Sequence, residues 1–156
     1  MATEATIHKL SNKEVEETLL SVVQNLIDGQ EGFLSIGEHL KDETLRRYFA
    51  AESLKRAQFR GDLEEMLHQE GLHDVKETGT IGGTVHRAWG DIKAHLGGGD
   101  HTLLETAEAG EDAAKKAYQE ALEKVLPLPV KQLLNGQYAH IQTSHDYVRA
   151  ARDSRK

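Results

Sequence analysis

The chain contains no cysteine and only two prolines. The lack of cysteine excludes disulfide bonds, thiolate catalysis and cysteine-ligated zinc, and it fits a reducing compartment. Because the two prolines, Pro127 and Pro129, stand close together, the rest of the chain can form long uninterrupted helices. Alternating runs of β-branched residues are scarce, which argues against strands. The sequence therefore favours an all-α protein.

Long hydrophobic runs and basic surfaces are missing as well. No apolar stretch approaches the ~20 residues that cross a bilayer, and the first ten residues, MATEATIHKL, do not resemble a signal peptide. The formal net charge of −7 argues against a general nucleic-acid or anionic-membrane surface. We therefore expect a cytoplasmic protein that binds neither nucleic acid nor membranes.

The 156 residues predict a single domain, 1–156, in which residues 1–10 and 153–156 are expected to be flexible. Apolar residues recur at three- and four-residue steps in four long segments. A capping box at Ser11 and Glu14 predicts the first helix start, and Asp42 and Asp100 are predicted N-caps. The predicted helices are Ser11–Leu40, Glu43–Glu70, a shorter Ile81–Leu96, Asp100–Leu126 and Leu128–Arg152.

The connections predict how these helices are arranged. Short turns near Asp42 and Pro127 make the first and second helices antiparallel, and the third and fourth likewise. The long link between the second and third helices carries the chain across the bundle. This connectivity, with one crossover that contains a short helix, is that of the ferritin-like four-helix bundle.

Two segments carry a resemblance to a known family. GTIGGTVHRAWGDIKAHL, with His86, Arg87 and Trp89, is followed by DHTLLETAEAGEDAAKKAYQEAL. Together with DGQEGF at residues 28–33 and the late pair His145-Asp146, they resemble a bacterial family of ferritin-like four-helix-bundle proteins. That family is catalogued only as a domain of unknown function. The resemblance covers about residues 10–152 and implies the fold, but it implies no activity.

Several polar residues interrupt the predicted inner faces of the helices. Glu52 lies near the middle of the second helix's apolar stripe, with Arg56 one turn later. The other such polar residues, on the remaining three long helices, are Gln30, Glu108, Glu111, Gln137 and His145. Because an isolated buried carboxylate is costly, we expect Glu52 and Glu111 to be neutralised by Arg56. Gln30, Gln137 and His145 are expected to complete this network with hydrogen bonds.

A di-iron centre is the obvious alternative for such a bundle. It needs a glutamate from each of two helices and a Glu-x-x-His motif from each of the other two. Lys55 stands where a histidine should follow Glu52, and Gln137 stands where a glutamate should precede His140. A reduced site remains open, in which Glu52, Glu108, Glu111 and His145 would suit iron, manganese or zinc.

Other motifs in the sequence give weaker indications of function. GTIGG and GGGD lack both the lysine of a phosphate-binding loop and a preceding strand. Trp89 is expected in the core, and no nucleophile or base is placed beside His86 by spacing. Three classes of function remain: a non-catalytic structural or stress-associated bundle without a cofactor, a metal-binding bundle, and a small-molecule binder. The small-residue helix faces would also suit a homo-oligomer.

Overall fold

The computed structural model describes residues 2–71, Trp89 and residues 92–155, with side chains from Lys13 onward apart from that of Lys93. Over these residues the chain is helical, and no strand occurs among them. The helices are α1 (Ala2–His39), α2 (Glu43–Gln69), the single turn α3 (Ile92–His95), α4 (Asp100–Leu122) and α5 (Leu128–Asp153). The predicted all-α four-helix bundle is confirmed. Searched over the described residues, no helix has both the length and the apolar character of a membrane span.

Three helix ends follow the local signals in the sequence. The Asp42 carboxylate accepts a hydrogen bond from the backbone N–H of Leu45 at 2.9 Å, so Asp42 caps α2 as predicted. Gly71 follows the end of α2 with φ of +81°, a left-handed conformation that glycine adopts without steric cost. Pro127 is the N-cap of α5, and Pro129 lies in its first turn.

Other boundaries differ from the predictions. Helix α1 begins at Ala2 instead of Ser11, because no glycine or proline interrupts the chain before Gly29. Helix α4 ends at Leu122 instead of Leu126, and Leu126 itself is biased away from helical geometry because it precedes Pro127. Val125 lies after the end of the helix and is 73% exposed. Of the predicted crossover helix, Ile81–Leu96, the structure describes Trp89 and residues 92–96, of which Ile92–His95 are helical. The rest of that predicted helix lies outside the described residues.

Asp100 has a different role from the predicted one. The N-cap of α4 is Gly99, and Asp100 is the first helical residue. Its carboxylate instead accepts hydrogen bonds from the backbone N–H groups of Lys41 and Asp42, at 2.8 and 3.0 Å. These bonds fix the start of α4 against the turn between α1 and α2.

The same turn establishes the topology. Arg155, just after α5, donates to the Asp42 carboxylate at 2.7 Å, so the end of α5 lies beside the starts of α2 and α4. Each neighbouring pair of helices, α1–α2, α1–α4, α4–α5 and α2–α5, is therefore antiparallel. Helices α2 and α4 run parallel across the diagonal, which requires a connection that spans the length of the bundle.

Two apolar clusters fill the interior. One surrounds Phe33, Phe49 and Trp89 near the α1–α2 turn, and the other surrounds Leu63 and Tyr118 in the opposite half. Along α2, Glu52 and Arg56 fall between the residues of these two clusters, and Glu111 does the same on α4. The clusters are thus separated by a polar layer at mid-bundle.

Trp89 shows how the small residues of α1 and α4 are used. A Cβ atom added to Gly32 would lie 2.5 Å from the indole ring, and one added to Gly110 would lie closer still. The ring also packs edge-on against Phe33, with centroids 5.1 Å apart. Trp89 is therefore wedged between α1 and α4 where both helices carry glycine, and it is a core residue as predicted.

Candidate functional site

Arg56 lies at the centre of the polar layer. Its Nε donates to Glu52 Oε2 at 2.9 Å, one helical turn away on α2, and its Nη2 donates to Glu111 Oε1 on α4. All three side chains are buried, with Arg56 1% exposed and Glu111 fully buried. One guanidinium therefore bridges two carboxylates in the interior, the geometry for which its planar fork of donors is suited.

The space for this guanidinium is provided by α1. A Cβ atom at Gly29 would lie 3.3 Å from Arg56 Nη1, so the absence of a side chain there lets the arginine lie against the helix backbone. The guanidinium carbon also lies 4.8 Å from the centre of the Phe33 ring, within the range of a cation–π interaction. Arg56 is thus held by partners on α1 and α4 as well as on its own helix.

The second oxygen of Glu111 is satisfied from α5. Ser144 Oγ donates to Glu111 Oε2 at 2.6 Å, and Ser144 also interacts with the Tyr48 hydroxyl. Burial, followed by the charges of Glu52 and Glu111, raises the pKa of Tyr48 to about 12, so it remains a neutral phenol at physiological pH. Its ring stacks on Tyr147 with centroids 3.8 Å apart. The network therefore continues towards the surface between α2 and α5.

On the other side, the network ends at His140. Its Nε2 faces both Glu52 oxygens, at 2.9 and 3.0 Å, and a carboxylate in this position accepts the N–H of the ring. About a third of the His140 side chain is exposed, and its ring packs edge-on against Phe59. A continuous series of polar contacts therefore runs from Tyr48 through Ser144, Glu111, Arg56 and Glu52 to His140.

The pKa values of the buried ionisable groups depend on their contacts with one another. Burial alone lowers the pKa of Arg56, but the carboxylates of Glu111 and Glu52 outweigh that effect and raise it above its usual value. Burial raises the pKa of Glu111, and Arg56 and Ser144 oppose this by favouring the ionised carboxylate. The charged state of Glu111 thus depends on the contacts it makes with these two residues.

Two residues expected in the network, Gln137 and Gln30, make their hydrogen bonds outside it. Gln137 accepts a hydrogen bond from the Tyr118 hydroxyl at 2.7 Å and donates to the Phe59 carbonyl at 3.1 Å. Gln30 contributes its backbone carbonyl, which accepts a bond from Ser53 Oγ at 2.8 Å. These residues join helices near the polar layer but contact neither Glu52 nor Glu111 with their side chains.

His145 faces a different set of carboxylates. Its Nε2 lies 2.8 Å from Asp112 Oδ1 and 3.6 Å from Glu108 Oε2, and its Nδ1 lies 3.1 Å from Asp146 Oδ1. The structure therefore does not gather Glu52, Glu111 and His145 into one site. Among the described residues, the three potential metal ligands that converge are Glu108, Asp112 and His145, with ligand atoms within 4.8 Å of one another.

Arginines also bind this second cluster. Arg152 Nη1 donates to Glu108 Oε1, and Arg149 Nε lies 4.0 Å from Glu108 Oε2. Hydrogen bonding to Asp153 and the charge of Glu108 raise the pKa of Arg152. Glu108 is thus already compensated by a cation from α5, as Glu111 is compensated by one from α2.

Sequence reasoning missed the roles of Asp112, His140 and Ser144. Asp112 follows Glu108 by four residues on one helix, a spacing that signals a shared face. His140 and Ser144 are also four apart, but their partners lie on other helices and no local pattern identifies them. His86 and Arg87, singled out by the family resemblance, lie outside the described residues.

Comparison with known proteins identifies a family whose function is unknown. A family model described as Domain of unknown function (DUF2383) matches residues 14–124. The matched stretch includes Glu52, Arg56 and Glu111, whereas His140 and Ser144 lie after it. A search among curated proteins found no match.

Proposed function

This chain belongs to the family described as Domain of unknown function (DUF2383), and we propose that it is a non-catalytic structural protein related to ferritin-like bundles. In this proposal a buried ion network replaces the metal centre. The observation that carries it is the position of Arg56 between Glu52 and Glu111. An arginine is permanently charged, so it supplies at this position the positive charge that a metal ion would supply.

The ligand set supports the same conclusion. A di-iron bundle draws two Glu-x-x-His motifs from facing helices. Here the third residue after Glu52 is Lys55, and the third residue after Glu111 is the buried Ala114. On α5 the corresponding motif reads Gln137-x-x-His140, and His140 binds Glu52 directly. The residues present therefore do not fit a di-iron centre.

A metal ion at this position would also have to displace existing contacts. Coordination by Glu52 and Glu111 would require Arg56 to leave both carboxylates while remaining charged. Moving a buried guanidinium away from its partners is unfavourable, because an uncompensated buried charge costs several kcal/mol. The bundle as folded thus favours the guanidinium over a divalent cation.

The test compares the metal response of the parent protein with that of an arginine variant. The protein is purified without chelator, its metal content is measured, and melting is recorded with and without added Mn²⁺, Fe²⁺ or Zn²⁺. We expect less than stoichiometric metal in the parent and no shift in its melting temperature. Arg56→Ala should become stabilised by added cation, because ligands that bind only the folded state raise stability. Stoichiometric metal in the parent that is lost in Glu52→Gln would refute the proposal.

A second candidate function, metal binding at the edge of the bundle, rests on the convergence of the buried Glu108 and His145 with the exposed Asp112. One imidazole and two carboxylates would suit manganese, iron or zinc, with water completing the coordination. Metal bound there would be lost in Asp112→Asn and His145→Gln but retained in Glu52→Gln. The same metal analysis therefore assigns any bound cation to one of the two clusters.

A further inference from the structure

The outer face of α2 carries a row of residues that packing among the described residues does not explain. We call it the α2 seam. It follows the alternating four- and three-residue steps of a coiled-coil contact. Its exposed residues lie on the side of α2 that faces away from Arg56, whereas Ala57 and Glu64, at its border, are half-buried. Its members are Arg47, Ala50, Leu54, Ala57, Gly61 and Glu64.

Two members of the seam are unusual on a solvated helix. Leu54, at the centre of the seam, is 73% exposed. Gly61 lies inside α2, where glycine weakens a helix relative to alanine, yet a Cβ atom added there would meet none of the described residues within 4 Å. By contrast, Gly29 and Gly37 on α1 each accommodate a side chain of α2. The described part of the chain gives Gly61 no such neighbour, and close approach of another backbone would supply one.

The seam is self-complementary when a second copy of α2 packs antiparallel against it. In antiparallel coiled coils the two kinds of core position face each other. In the register that places Leu54 opposite Ala57 of a second copy, Ala50 faces Gly61 and Arg47 faces Glu64. The same pairs recur on the other side of a two-fold axis, as an isologous interface requires. The large side chain thus meets a small one, and each basic residue meets an acidic one.

The residues beside the seam, and its charge, are also compatible with a second copy of the chain. Leu34 on α1 is 50% exposed, and it lines a groove together with the seam residues Ala50 and Arg47. The seam carries one arginine and one glutamate, so it is electrically neutral although the chain carries a net charge of −7. Two copies can therefore meet at this face without bringing their excess negative charges together.

We infer that the protein forms a two-fold symmetric homodimer through antiparallel packing of the α2 seam. This inference does not require the proposed function, although a structural bundle that assembles in this way would be one form of it. The experiment below measures mass, whereas the proposed function is measured by metal content, so either can fail without the other.

The first test measures the mass of the full chain by sedimentation equilibrium over a dilution series. We expect the parent to have twice the monomer mass and Leu54→Glu to have the monomer mass. Leu128→Glu is the matched control, because Leu128 is similarly exposed but lies at the start of α5. A monomeric parent, or a dimer unaffected by Leu54→Glu, would overturn the inference.

A charge exchange tests the register. Arg47→Glu and Glu64→Arg should each lose the dimer, because each places like charges opposite one another, and the double variant should regain it. Arg47 also contacts Glu43, and Glu64 contacts Arg60, so helicity of each variant is confirmed by circular dichroism. A folded double variant that stays monomeric contradicts the antiparallel register proposed here.

Discussion

Arg56 donates a hydrogen bond to Glu111 across the diagonal of the bundle, from α2 to α4. These two helices pack against α1 and α5 rather than against each other, so this ion pair connects elements that apolar contacts do not join directly. The same guanidinium binds Glu52 on α2, and the Glu52 carboxylate is hydrogen-bonded to the His140 ring on α5. Arg56 is therefore the group on which the balance of charge in the polar layer depends.

Removing that balance should be costly. Arg56→Ala leaves Glu52 and Glu111 buried without their cation, and we expect it to lower the free energy of unfolding by about 3–5 kcal/mol. Arg46→Ala on the exposed face of the same helix is the matched control and should change it by less than about 0.5 kcal/mol. Urea denaturation of the parent and both variants measures the difference.

Replacing the whole ion cluster should be less harmful than breaking it. In the triple variant Glu52→Gln, Arg56→Met, Glu111→Gln no buried charge remains uncompensated, so it should recover most of the stability lost in Arg56→Ala. Denaturation under the same conditions provides the comparison. A triple variant no more stable than Arg56→Ala would contradict the interpretation that the loss in Arg56→Ala comes from uncompensated buried charge.

The Ser144 hydroxyl is the second support of Glu111. Ser144→Ala removes the 2.6 Å hydrogen bond to a fully buried carboxylate, and we expect a loss of about 1–3 kcal/mol. The adjacent Thr143 is exposed and bonds only its own helix backbone, so Thr143→Ala should cost much less. Equal effects in thermal melts of the two variants would mean that Ser144 contributes through helix formation alone.

Local signals in the sequence predicted much of the fold but less of the site. Asp42, Gly71 and Pro127 act through their own or adjacent backbone, so their positions identify helix ends. Asp100 looks like an N-cap by the same criteria, yet its carboxylate binds the backbone of the α1–α2 turn. That use depends on the approach of two distant segments, which no local pattern encodes.

The same limit applies to the polar layer. Glu52 and Arg56 are four residues apart on one apolar stripe, so their pairing could be predicted from helical geometry. Whether His140 or His145 reaches Glu52 depends on the offset between α2 and α5 along the bundle. The two histidines are five residues apart, so they differ by roughly 7.5 Å along α5 and point in different directions, and the sequence does not specify the offset and rotation that bring one of them to Glu52.

The glycines around Trp89 provide a packing test. Gly110→Ala and Gly32→Ala would each place a methyl group against the indole, and overpacking costs about 1–3 kcal/mol. Gly136→Ala on α5 is the control, because a Cβ atom there meets no atom of the described residues within 4 Å and alanine favours the helix by up to ~1 kcal/mol. The melting temperature should therefore fall for the two substitutions beside Trp89 and rise for Gly136→Ala. In a Trp89→Ala background, Gly110→Ala should no longer destabilise the protein.

Asp28 on α1 predicts a pH dependence of stability. The side chain is buried, and within the described part of the chain its Oδ1 has no hydrogen-bond partner. Burial, followed by the charge of Glu31, raises the pKa of Asp28 from 3.8 to about 7. Between these two values the folded state holds a proton that the unfolded state has released, so the free energy of unfolding falls as pH rises from about 4 to about 7.

Asp28→Asn removes this titrating group from both states. The variant should match the parent near pH 4 and exceed its stability at pH 8, by at most roughly 4 kcal/mol. Urea denaturation across this pH range measures the difference between variant and parent, in which the titration of the other carboxylates cancels. Asp62→Asn on the exposed face of α2 is the control and should show no such trend. A difference that stays constant from pH 4 to pH 8 would mean that Asp28 is ionised in the folded protein throughout, with a cationic partner or water compensating its charge.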